Sequence, residues 1–234
     1  MTCSNQNCLF RYTDFEDDPQ SGPDREVQCL IADTSREVEF HKGEALFLEG
    51  QPSSSLYSLS SGMVKICRDV HDGQEQMVGL SHPGQLLVGL QSISQERYAY
   101  SAFAATFVRA CKINHDALLA MVSARGDVAM CLIRALNAQL AHSRALMEVM
   151  GHKSAASKVA SLILLMVPKS QRGNKQFSLP FSRREIATLV NLSEETVCRQ
   201  MARMRRSGII AAPRHYIAIL DWDRLRRVAD NSAA

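Results

Sequence analysis

From Glu37 to Ile113 the apolar residues fall in short runs cut by glycine. The runs at 45–48, 56–59, 63–67, 76–80 and 105–110 are separated by Lys42-Gly43, Glu49-Gly50, Ser61-Gly62, Asp72-Gly73 and Pro83-Gly84. Turn signals recurring every 8–12 residues or so predict a small β-sandwich or β-barrel. The period changes near His115. Between Asp127 and Met150 there is no proline and no glycine, and Ile133, Leu136, Leu140, Met147 and Met150 stand at a/d spacing, with Ser143 as the polar break. A helix of about 24 residues is roughly 36 Å long. Such a stripe exceeds what one small domain covers and predicts pairing with a second copy of the chain. Residues 151–154 read as a hinge, with Gly151 as C-cap of the long helix and Ser154 as N-cap of the next. A buried helix over 159–166 follows and stops before Pro168.

Residues 182–207 read SRREIATLVNLSEETVCRQMARMRRS. Ser182 with Glu185 three residues on makes a capping box. Ile186, Leu189 and Val190 give the helix an apolar face, and the small Ala187 allows a second helix to cross closely. Asn191 suits a left-handed turn, Leu192 fills the core beneath it, and Ser193 caps a second helix whose apolar face is Val197, Met201 and Met204. This spacing is that of a helix-turn-helix. On the free face Glu195, Cys198 and Arg199 lie near the N-terminal end, where base edges are read: arginine pairs with guanine O6/N7 and glutamate accepts from cytosine N4. Arg203, Arg205 and Arg206, with Arg183, Arg184, Ser193 and Thr196, suit phosphates. A β-hairpin over 208–219 reads as a wing with Arg214 and His215 near its tip.

Charge sharpens this division. The formal net charge of +3 is the sum of −6 over residues 1–150 and +9 over 151–234, so the basic C-terminal part is the one suited to a polyanion. Residues 1–35 form a polar, acidic arm with a short helix expected near 27–32. No apolar run is long enough for a bilayer, and the N-terminus has neither a basic n-region nor an apolar h-region, which predicts a cytoplasmic protein that meets no membrane. Seven cysteines, an odd number, predict reduced thiols or a metal site rather than a disulfide framework. There is no Gly-rich phosphate loop, no Ser/His/Asp context and no paired carboxylates in an apolar setting, so an enzyme is not expected.

The domain order is an α+β arrangement: arm 1–35, β-roll 36–126, dimerisation helix 127–150 and winged helix-turn-helix 151–234. It resembles the CRP/FNR superfamily of bacterial transcription regulators over about residues 36–228, nearer the FNR branch. The resemblance is carried by Lys42–Gly50, Leu56–Lys65, Asp72–Gln76 and the second helix of the turn motif. It implies a homodimer on double-stranded DNA, a twofold-symmetric TTGAT/TTGAC-like site read by Glu195, Cys198 and Arg199, contact with RNA polymerase, and activation. Cysteine replaces the family's serine at 198, which bears on preference at the outer thymine. Cyclic AMP is not implied: Gly89 holds the place of the ribose-binding glutamate and Tyr98 that of the phosphate-binding Ser/Thr, with Arg97 alone retained. An FNR-type [4Fe–4S] cluster, responding to oxygen or redox state, would draw on Cys3 and Cys8, on Cys29 as a third N-terminal ligand outside the family's spacing, and on Cys111. A signal-independent protein, or one responding to a small ligand or to haem through His115 or His142, is the alternative. Cys67 and Cys131 read as packing residues.

Overall fold

The computed structural model describes residues 35–70, 74–83, 89, 96–167, 180–212 and 217–230. Cys3, Cys8, Cys29, the helix expected near 27–32, the turn glycines 73 and 84, and Arg214 with His215 lie outside the described residues. The α+β class expected from the pattern is what the chain adopts. It forms two compact units, one reaching to Ala141 and the other beginning at His142.

The first unit is built from β1 (Ser35–Phe40), β2 (Ala45–Phe47), β3 (Ser55–Ser61), β4 (Val64–Val70), β5 (Gln74–Ser81), β6 (Ser101–Ala104) and β7 (Val108–Asn114). They pair as two antiparallel sheets, ordered β1-β7-β3 and β2-β6-β4-β5. Leu46, Phe47, Tyr57, Leu59, Val64 and Val108 belong to the buried core between the strands. The chain passes between sheets at 61–64 and again at 104–108, and these two crossings are laced together. Ala105 N–H donates to Met63 O (2.8 Å) and Met63 N–H to Thr106 Oγ1 (2.9 Å). Residues 105–107 were expected to be strand. Their hydrogen bonds go to this crossing instead of a ladder, so β7 starts only at Val108. Gly62 is required here: its φ is +87°, and a Cβ would lie 2.2 Å from Phe107 O.

Asn114 Oδ1 caps α1 (His115–Ala124) by accepting from Ala117 N–H at 2.9 Å. The long helix α2 (Gly126–Gly151) follows, with an ion pair between Arg125 and Asp127 at its start (2.6 Å). That pair holds the Asp127 carboxyl below its usual range. Val128, Cys131, Ala135, Leu146 and Val149 are buried. The expected stripe points elsewhere: Ile133, Leu136, Leu140, Met147 and Met150, joined by Met130, are 40–58% exposed. Gly151 is the last helical residue and does not take the left-handed conformation expected of a C-cap.

In the second unit Ser154 caps α3 (Ala155–Met166) through Ser157 N–H (3.0 Å). The helix begins ahead of its apolar run because the cap and two alanines favour an early start. Then come α4 (Arg183–Val190), α5 (Glu194–Arg206), the short pair β8 (Ile210–Ala211) and β9 (Ala218–Ile219), and α6 (Trp222–Ala229). Helix α6 was not anticipated. Its signal is Asp221, whose Oδ1 accepts from Arg224 N–H (2.9 Å), ahead of Leu225, Val228 and Ala229 facing α3.

Candidate nucleic-acid interface

The turn motif is fixed by three local devices, each written in the sequence. Glu185 N–H donates to Ser182 Oγ (3.1 Å) while Ser182 N–H donates to Glu185 Oε2 (2.8 Å), so both halves of the capping box are made. Asn191, at φ 52° and ψ 58°, is the non-glycine residue with positive φ among those described. It ends α4 in the left-handed conformation, and Leu192 N–H then donates back to Ala187 O (2.9 Å). Ser193 Oγ accepts from Thr196 N–H (3.2 Å) and starts α5. Val197, Met201 and Met204 anchor α5, while Ile186, Ala187, Leu189 and Val190 anchor α4. Leu192 is half-buried rather than sealed in the core.

What remains on α5 is the polar face. Glu195, Cys198, Arg199, Arg203, Arg205 and Arg206 are all exposed. Spacings of three and four residues line up Glu195, Cys198, Arg199, Arg203 and Arg206 along one side. Ser193 and Arg184 are exposed and Thr196 and Arg183 half-buried. Acidic residues in the first turn and arginines in the last complement the helix dipole, so the face also stabilises its own helix. Two further ties hold the motif: Lys158 Nζ reaches Val190 O (3.4 Å) at the end of α4, and Arg224 Nη1 donates to Ser207 O (2.9 Å) at the end of α5. Neither was foreseen, since each joins residues far apart in sequence.

The effector-related positions belong to the roll. Arg97 is exposed and donates to Gly50 O (2.6 Å). Tyr98 is buried and Gly89 has φ +96°. Cys111 lies in β7 between Glu37 of β1 and Ser58 of β3, 7% exposed. Burial pushes its thiol pKa up, Glu37 adds to this, and a hydrogen bond with Ser35 opposes it. A cluster ligand must be a thiolate, and among the described residues no three His, Cys, Asp or Glu side chains could hold a metal ion together. Three of the four cysteines named for a cluster, Cys3, Cys8 and Cys29, lie outside the described residues. His115 and His142 lie on α1 and α2. Cys67 and Cys131 are buried, as packing residues should be, whereas Cys198 is exposed.

Residues 37–125 match the family described as the cyclic nucleotide-binding domain, and residues 157–228 match the Crp-like helix-turn-helix domain. The transcriptional activator protein FnrA of Stutzerimonas stutzeri is 31% identical over 183 residues, spanning 77% of this chain and 75% of that protein. The chain belongs to the CRP/FNR superfamily. It is a DNA-binding transcription regulator of that superfamily. The transcriptional activator protein anr of Pseudomonas aeruginosa is 30% identical over 77% of this chain and 75% of its own. Among solved structures, FixK2 from Bradyrhizobium japonicum aligns with a TM-score of 0.73 at 25% identity, covering 86% of this chain and 98% of that one. In this CRP/FNR chain, no helix among the described residues is long and apolar enough to cross a membrane.

Proposed function

We propose that the chain acts in the cytoplasm as a homodimeric transcription activator that reads a twofold-symmetric TTGAT/TTGAC-like site. In this reading residues 36–126 are the regulatory roll, 127–150 the dimerisation helix and 151–234 the DNA-binding part. Arg199 pairs with guanine, Glu195 accepts from cytosine and Cys198 contacts the outer base pair. Arg183, Arg184, Ser193, Thr196, Arg203, Arg205, Arg206 and Arg214 hold phosphates. The stripe from Ile133 to Met150 meets its counterpart on a second copy, bringing two reading helices to successive major grooves about 34 Å apart. Activation is supported by the activator names of the relatives, and contact with RNA polymerase is what the family resemblance implies.

The observation that carries the reading is α5 itself: capped at Ser193, anchored by three buried side chains, and offering Glu195, Cys198 and Arg199 together on an exposed face. The test is anisotropy with a TTGAT-N4-ATCAA duplex and a scrambled control over a range of salt. Tight binding to the first, with a steep negative salt slope, is expected. Equal affinity for both duplexes would refute sequence reading by α5.

A further inference from the structure

The last two turns of α2, the helix α3 and the end of α6 form a recess of about 650 Å³. Its apolar wall is Val149, Leu164 and Leu165, the first buried and the other two half-buried. His152 and Ser161 also line it, with Nε2 and Oγ 3.1 Å apart. Glu148 and Asp230 complete the lining, and both are exposed. Among the described residues neither carboxylate belongs to an ion pair.

Size, charge and position give this recess its character. Its volume falls within the roughly 300–1,000 Å³ of small-molecule sites. Residues 151–234 carry a net +9, yet among the described residues no lysine or arginine lines the recess and two carboxylates do. Helix α2 ends there at Gly151 with no basic residue in its last turn, so the negative end of its dipole adds to the same field. An anion is repelled from such a place, and a bare metal ion would make no use of the apolar wall. At about 100° per residue, Ala145, Glu148 and Val149 fall on the side of α2 opposite Leu140, Met147 and Met150. An occupant therefore does not compete for the exposed stripe.

We propose that this recess binds a small organic cation: an ammonium group carried on an apolar body about the size of an indole. The ammonium is matched by Glu148, Asp230 and the end of α2, and the body by Val149, Leu164 and Leu165. A bound cation touches α2, α3 and α6 at once, and so spans the junction of residues 152–154 between the first two. Helix α3 in turn packs on α5. Neither the site nor its test depends on the DNA reading proposed above.

The experiment is isothermal titration calorimetry on the full chain at low, fixed ionic strength. The probes are tryptamine, its neutral isostere tryptophol and the charge-reversed indole-3-propionate. Tryptamine should bind with a dissociation constant of roughly 0.1–1 mM, tryptophol about fivefold more weakly, and indole-3-propionate without measurable heat. In the double variant Glu148→Gln with Asp230→Asn, tryptamine should weaken about five- to tenfold, to the level of tryptophol, whose own affinity should hold within about twofold. Both side chains are exposed, so the variant should fold, and an unchanged melting temperature checks this. Amide resonances of Gly151, His152 and Ser161 should shift on adding tryptamine to the wild type. Equal binding of the three probes, no binding of tryptamine, shifts that spare those amides, or a double variant that holds tryptamine as tightly as the wild type overturns the proposal. No duplex is present, so failure here is distinct from failure of DNA reading.

Discussion

Helices α2 and α5 each leave a face unfinished, and in opposite chemistries. Helix α5 buries its large apolar side chains, Val197, Met201 and Met204, and exposes guanidinium and carboxylate groups. Helix α2 buries one apolar face and still leaves six large apolar side chains between 40% and 58% exposed. A row of exposed apolar side chains gains by meeting another such surface, and the least demanding match is an identical helix in twofold pairing. A row of arginines gains nothing from its own kind and is matched by a polyanion. The pair teaches that the kind of exposed side chain, more than the amount of exposure, indicates what completes each helix.

The contrast can be broken most severely on α2. Leu140→Glu places a carboxylate in the middle of the proposed seam, and the dimer dissociation constant should rise at least about 100-fold, on the order of 3 kcal/mol. Sedimentation velocity at micromolar concentration would then show monomer, and a dimer of unchanged strength would remove the stripe from the interface. On α5, Arg199→Ala should weaken the TTGAT-type duplex by roughly 10- to 100-fold, about 1–3 kcal/mol, while leaving a scrambled duplex nearly unaffected. Equal losses on both duplexes would make Arg199 a phosphate contact. Arg206→Ala sharpens the same helix differently, with several-fold weakening on every sequence and a salt slope shallower by roughly one per protomer. Cys198→Ser should have the smallest effect, a change of about fivefold or less confined to the outer base pair of each half-site. A binding series over all four bases at that position would detect it.

The turn motif was legible almost residue by residue because its determinants are local. Ser182, Asn191 and Ser193 each act within three or four positions of themselves, and all three adopt the expected roles. The exposed stripe on α2 was equally readable, being a matter of spacing alone. The roll was readable as texture only. Nothing in the order of its runs announces that β7 lies between β1 and β3, since strand pairing depends on partners tens of residues away. The same distance hid the bond from Tyr98 to Ser55, 43 positions apart. At Cys111 the sequence showed only a cysteine in an apolar run, while the fold sets it in the middle of a sheet, where burial and the carboxylate of Glu37 push its thiol pKa up. Gly151 does end α2, but as its last helical residue and without the left-handed turn expected of a glycine cap.

The crossing at Gly62 has a consequence for how freely this roll can drift in sequence. Two passages of chain between the sheets touch there, and the carbonyl of Phe107 occupies the place of the missing methyl. Alanine, ordinarily the mildest of replacements, would have to pry the passages apart as well as adopt a backbone angle it resists. A saturation library over this stretch, selected for folded protein, should return many solutions at its neighbours and a single amino acid at 62, making that position a fixed stitch around which the rest of the roll can vary.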